Sequence, residues 1–189
     1  MKLWVAVAAL LLFDLLAPAI ASAQRNELAA EASGLIDASA TNPSFGGGLQ
    51  INYAHRLVGV PGVGLFVEVP FVAGFNNTGF SVRELQRENI NSYFLTPGLK
   101  VKFVPGFFLS PYLAAGIGFA HFSSTTTSAS DTTFAADWGG GFDIKLVPIV
   151  GLRIEARDFY TGTPALVPLL GSVGNQHNVV VSGGIVFRF

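Results

Sequence analysis

Beyond about residue 24, apolar residues recur at every second position, in eight segments whose connections are alternately short and long. A period of two belongs to strands with two unlike faces, not to helices. In residues 62 to 74, Val63, Leu65, Val67, Val69 and Phe71 form one row, and Gly64, Phe66, Glu68, Pro70 and Val72 the other. Residues 92 to 104 set Tyr93, Leu95, Pro97, Leu99, Val101 and Phe103 against Phe94, Thr96, Gly98, Lys100 and Lys102. Residues 133 to 146 oppose Trp138, Phe142, Ile144 and Leu146 to Asp137, Asp143 and Lys145, and residues 150 to 160 oppose Leu152, Ile154 and Ala156 to Arg153, Glu155 and Arg157. The same reading predicts strands at 26–36, 45–56, 62–74, 92–104, 108–121, 133–146, 150–160 and 177–189. The first of these also satisfies a helical pattern. Pro70, Pro97 and Pro111 predict bulges or strand ends, because proline removes a ladder hydrogen bond.

Three connections are short: Arg56 to Gly62, Lys102 to Gly106 and Lys145 to Pro148, each a basic residue followed by a Val-Pro turn. The other four, 37–44, 75–91, 122–132 and 161–176, are long and mostly polar or small. Strict alternation sends all tight turns to one end of the sheet and all long loops to the other. That is the layout of an all-β, eight-stranded, antiparallel up-and-down transmembrane β-barrel. A soluble barrel or sandwich would bury the apolar row and expose the charged one. Only 12% of residues are charged, against roughly 25% in soluble domains. Lipid is therefore the better partner for the apolar row.

Residues 1–23 read as an export signal. Met1-Lys2 starts positive, Leu3 to Phe13 is apolar, and Ala21 and Ala23 flank Ser22 in the small-residue pattern that signal peptidase cuts after. A membrane anchor is the competing reading, but Asp14 and Pro18 interrupt the run, which is short for a bilayer. The expected domain spans 24–189. No other stretch nears the roughly 18 to 20 apolar residues of a spanning helix. The absence of Cys excludes disulfides, thiol catalysis and Cys-ligated metals, and a net charge of −1 without basic runs argues against nucleic acid.

An eight-stranded barrel is just wide enough inside to be filled by side chains. Parity sends Glu27, Glu31, Glu68, Asp137, Asp143 and Glu155 inward together with Arg56, Lys100, Lys102, Lys145, Arg153, Arg157 and Arg188. The inner row holds glycines and few large apolar residues. Near-balance of charge predicts internal salt bridges that plug the lumen. An ion-selective pore is the alternative reading of the same residues.

The chain closes on Ile185, Phe187 and the terminal Phe189 in one row. A terminal aromatic after alternating apolar residues resembles the signal by which the barrel-assembly machinery recognises outer-membrane proteins. Pro111-Tyr112-Leu113-Ala114-Ala115-Gly116-Ile117-Gly118-Phe119 is similar to a strand common in small outer-membrane barrels. Residues 25–189 resemble the group that includes the OmpA transmembrane domain and OmpX. The resemblance implies an outer-membrane location, with lipid and the assembly machinery as partners. No peptidoglycan-binding domain follows the barrel, so wall anchoring is not implied.

His121-Phe122-Ser123 is the one arrangement that suggests catalysis, since a His beside a Ser is the minimal nucleophile pair. It is similar to the His-x-Ser of the PagL-type lipid A deacylase barrels, but Ser124 and Thr125 replace the Asn and Ala that usually follow. Asp131 and Asp137 are the only carboxylates available to orient the His. A polar rim residue is the plainer reading. His55 and His177 stand isolated at opposite ends, so no metal and no cofactor is expected. Residues 81–91 concentrate charge outside the membrane, and the apolar run 165–170 is a candidate contact loop. The expected role is a non-catalytic scaffold displaying outer loops. A narrow channel for small or apolar solutes and a lipid A-modifying enzyme are the alternatives.

Overall fold

A computed structural model describes residues 25–38, 44–80, 88–125, 129–162 and 175–189. The expected export signal, with Ala21 and Ala23, lies outside the described residues, as do 165–170 and most of 81–91. The strands are β1 Asn26–Asp37, β2 Ser44–Val60, β3 Val63–Phe80, β4 Glu88–Leu95, β5 Gly98–Phe103, β6 Leu109–Ser124, β7 Ser130–Val147, β8 Val150–Thr161 and β9 Gln176–Arg188. β4 and β5 are two halves of one wall strand: both lie between β3 and β6, in the same register on each side. Every pairing is antiparallel, and β1 pairs with both β2 and β9. The sheet therefore closes into an eight-stranded barrel. The first segment, which also fitted a helix, is a strand because closure needs its two ladders.

Cross-strand partners can be followed around the wall from Asn26 through His55, Val67, Leu99, Ala115, Trp138, Asp158 and Val179. The walk returns to β1 at Ile36, ten residues above its start. A stagger of ten over eight strands tilts them about 40° from the barrel axis, using the usual strand spacing and rise. The tight turns between β2 and β3, β5 and β6, and β7 and β8 all lie at the end where Asn26 and Phe189 exchange backbone hydrogen bonds of 2.8 and 3.0 Å. Gly62 and Gly106 take left-handed φ values of 84° and 101° there, a conformation that costs glycine little.

Of Pro70, Pro97 and Pro111, only Pro97 marks a strand end, between β4 and β5. The gap is roofed closely by β6: a Cβ on Gly116 would lie 2.3 Å from the Thr96 carbonyl oxygen, and one on Gly118 2.0 Å from that of Leu95. Pro70 and Pro111 keep unbroken register opposite Asn52 and Phe142, without the expected bulges. The reason is local. Pro70 falls between the last β3–β4 pair, Phe71–Leu95, and the first β3–β5 pair, Glu68–Gly98, where no ladder partner waits for its missing N–H. Pro111 lies one residue beyond the last β5–β6 pair, Lys102–Tyr112.

The barrel's faces are inverted relative to a soluble protein. Leu49, Ile51, Leu99, Leu113, Ile117, Phe142, Ile154 and Val181 are exposed on the outside, while Glu68, Lys100, Arg153, Glu155 and Arg157 are buried within. Among the described residues, no helix is long and apolar enough to cross a membrane.

A salt-bridged lumen as the candidate functional site

Inward parity converges charges from six wall strands on the half of the lumen nearer the tight turns. Arg153 on β8 is a hub: its guanidinium lies 2.8 Å from Asp143, 3.1 Å from Glu27 and 3.7 Å from Glu68. Arg157, two inward positions further along, reaches Glu155 at 2.7 Å, Asp137 at 2.9 Å and Glu68 at 2.5 Å. Lys100 on β5 bridges Glu27 and Glu68, each at 3.0 Å. Lys102 bridges Glu27 and Asp143. Arg188, near the end of β9, closes the network at Asp143, 3.2 Å away.

Charges buried this deeply are tolerable only when paired and hydrogen-bonded on several sides. Aromatic faces complete the shell. The Phe66 and Tyr112 rings flank Lys100 at 5.3 and 5.4 Å, and the Arg153 guanidinium lies 4.9 Å from the Tyr112 centroid. Tyr112 Oη donates to Glu155 at 2.6 Å.

The structure thus brings Glu68, Lys100, Lys102, Asp137, Asp143, Arg153, Glu155 and Arg157 into one connected cluster, together with Glu27 and Arg188. Glu31 is buried but is held by neutral donors, Asn52 at 3.2 Å and Ser182 at 2.9 Å. Lys145 turns away and donates to the Gly106 carbonyl at 3.3 Å. Its strand position lies so close to the tight-turn end that the turn's backbone is nearer than any lumen acid.

The other half of the lumen departs from the sequence reading. Large apolar side chains are not scarce there: Leu35, Val72, Ile90, Phe94, Phe122, Phe159 and Val180 form a buried cluster above the charges. Phe94 lies 4.8 Å from Phe159 and meets Phe122 edge-on at 5.9 Å, centroid to centroid. The parity that places Phe94 inside also places Phe122 and Phe159 there once β6 and β8 are followed to their ends. The inward side chains therefore form two layers, ionic below and apolar above.

His121 Nδ1 lies 2.8 Å from the Thr132 hydroxyl, across the β6–β7 ladder. Of the two expected carboxylates, Asp131 accepts from the Thr132 N–H at 2.9 Å and Asp137 pairs with Arg157. His55 and His177 are not isolated as the sequence suggested. His55 lies 2.9 Å from Asn26 Oδ1, and His177 lies 2.8 Å from Asp158 Oδ2. Strand pairing created both contacts, so no sequence spacing could signal them. Among the described residues no group of three or more His, Asp or Glu is placed to hold a metal ion. Ile185, Phe187 and Phe189 all face outward at the β9 end, with Phe187 opposite Leu28 of β1.

A closed eight-stranded antiparallel barrel with an apolar exterior and charged interior is the fold of the small outer-membrane β-barrels. No protein-family profile matches the chain, and no curated protein matches it in sequence. Among solved structures it is similar to neisserial surface protein A, at 16% identity and a TM-score of 0.63 over 87% of this chain and 97% of that one. It is similar also to Ail, the attachment invasion locus protein of Yersinia pestis, at 16% identity and a TM-score of 0.54 over 88% and 99%. The outer membrane enzyme PagL is a third, at 16% identity and a TM-score of 0.51 over 84% and 99%. At such identities the likeness is one of fold.

Proposed function

We propose that this protein is an outer-membrane β-barrel whose role is that of a closed, non-catalytic scaffold, holding four long loops at one face of the membrane. The observation that carries this reading is the ion network centred on Arg153 and Arg157. It crosses the lumen from β8 to β1, β3, β5 and β7 with buried side chains. The apolar layer of Phe94, Phe122 and Phe159 supports the same reading, because it adds a second constriction above the first. The outward row of Leu, Ile, Val and Phe supports insertion in lipid, and the three structures named above are proteins of that fold. The bonding of His121 to the Thr132 hydroxyl across the β6–β7 ladder supports a structural role for that rim.

The test is planar-bilayer conductance of the refolded protein, after its gel mobility has been seen to shift on heating. A silent bilayer is the expected result. Discrete, reproducible openings would overturn the closed-lumen reading in favour of the narrow channel.

A further inference from the structure

The charges buried in the lumen do not balance. Among the described residues six carboxylates are buried inside the barrel: Glu27, Glu31, Glu68, Asp137, Asp143 and Glu155. Five cations lie on them: Lys100, Lys102, Arg153, Arg157 and Arg188. Every acid but Glu31 has a cation at 3.0 Å or less. The partners of Glu31 are neutral, Asn52 Nδ2 at 3.2 Å on Oε1 and Ser182 Oγ at 2.9 Å on Oε2. The leftover charge therefore sits on Glu31. A buried carboxylate without a counter-charge is costly, and neutral donors alone do not cancel it.

The inward row of β1 reads Glu27, Ala29, Glu31, Ser33, Leu35, so Glu31 and Ser33 stand where the ionic layer gives way to the apolar one. Gln50 is the cross-strand partner of Glu31 on β2, and Ser182 is that of Ser33 on β9. Side chains so opposed start about 5 Å apart. Two oxygens of this group, Ser33 Oγ and Gln50 Oε1, are buried without a hydrogen-bond partner among the described residues. Ser33 is 8% exposed and Gln50 1%. The Gln50 amide cannot simply be reversed, because its Nε2 donates to Asn52 Oδ1 at 3.0 Å and also to Glu155. A reversed amide would set its oxygen against two acceptors. Asn52 Nδ2 in turn serves both Glu31 and Glu155, at 3.2 and 3.4 Å, so these two carboxylates are joined by an amide with no cation between them.

We infer that Glu31, Ser33 and Gln50 form a binding site for one alkali-metal cation, at the boundary between the two layers of the lumen. Both Glu31 oxygens accept hydrogen bonds, the pattern of an ionised carboxylate, and the unpartnered hydroxyl and amide oxygens beside it are hard neutral donors. A single positive charge completes the balance. A divalent ion would overshoot it, and such ions draw on more oxygen ligands than one carboxylate and its neighbours supply. The site goes beyond the scaffold reading, since a silent or a conducting bilayer leaves the charge count unchanged.

The full chain is refolded in phosphatidylcholine vesicles and its heat-dependent gel shift is checked. Urea unfolding is then followed over a range of sodium chloride and, separately, potassium chloride, with choline chloride holding the ionic strength constant. With at least one of the two ions the folding constant should rise towards tenfold per tenfold increase in concentration, as binding of one ion requires. E31Q should lose this dependence, and S33A should need at least tenfold more of the ion. F159A, altered in the apolar layer, should keep it. Equal stability in sodium, potassium and choline would overturn the site, as would an unaltered dependence in E31Q or its loss in F159A. A carboxylic-acid infrared band in the folded chain at neutral pH that disappears in E31Q would also overturn it, because a proton would then balance the charge. If E31Q does not fold, S33A decides, and an unaltered dependence there would overturn the site.

Discussion

Arg153 and Glu27, 126 residues apart in the chain, meet at 3.1 Å inside the barrel. Glu27 belongs to the first segment and Arg153 to the seventh of eight, so the contact exists only once β9 has paired with β1 and closed the wall. The Arg153–Glu27 bond and barrel closure therefore form together.

Removing the hub should show this. R153M leaves Glu27 and Asp143 buried with fewer partners, and loss of one member of a buried ion pair costs about 3–5 kcal/mol. Urea titration of the refolded protein in lipid should show a matching fall in stability. R153K should recover part of it, because it restores a cation beside Glu27 and Asp143.

The apolar layer makes a separate contribution. F159A opens a cavity between Phe94 and its neighbours, and substitutions of this kind cost about 3–5 kcal/mol. The same titration should detect it. The loss should add to that of R153M to within a few tenths of a kcal/mol if the two layers are independent.

Backbone approach at the β4–β5 gap sets a third expectation. G118A places a methyl group 2.0 Å from the Leu95 carbonyl oxygen, whereas G47A meets nothing within 4 Å. The first should abolish the heat-dependent gel shift or greatly slow its appearance. The second should leave refolding as it is.

The outer face should reject charge according to depth. Ile51 lies midway along the outward row of β2 and is half exposed. I51K should cost about 2–4 kcal/mol if that face meets the middle of the bilayer, by the usual penalty for a lipid-facing cation there. A similar stability for I51K and the unmodified chain in vesicles would place the face out of lipid.

Much of this molecule was legible in its sequence for a simple reason. In a barrel each strand is read by parity alone: Glu68, Lys100, Asp143 and Arg153 point inward because their neighbours two positions away do, whatever the partner strand. The eight segments, the alternation of turns and loops, and the inverted faces all follow from that local rule together with the cost of leaving an edge unpaired in lipid. Parity does not fix height, and height is set by the ten-residue stagger, which accumulates around the closed wall. Only the tertiary structure could decide that Glu31 is served by Asn52 and Ser182, that Lys145 falls short of the lumen, and that Phe94, Phe122 and Phe159 share one level. The stagger likewise brings His177 to Asp158 and leaves His121 with a threonine. The sequence determined which side of the wall each residue faces; closure determined whom it meets.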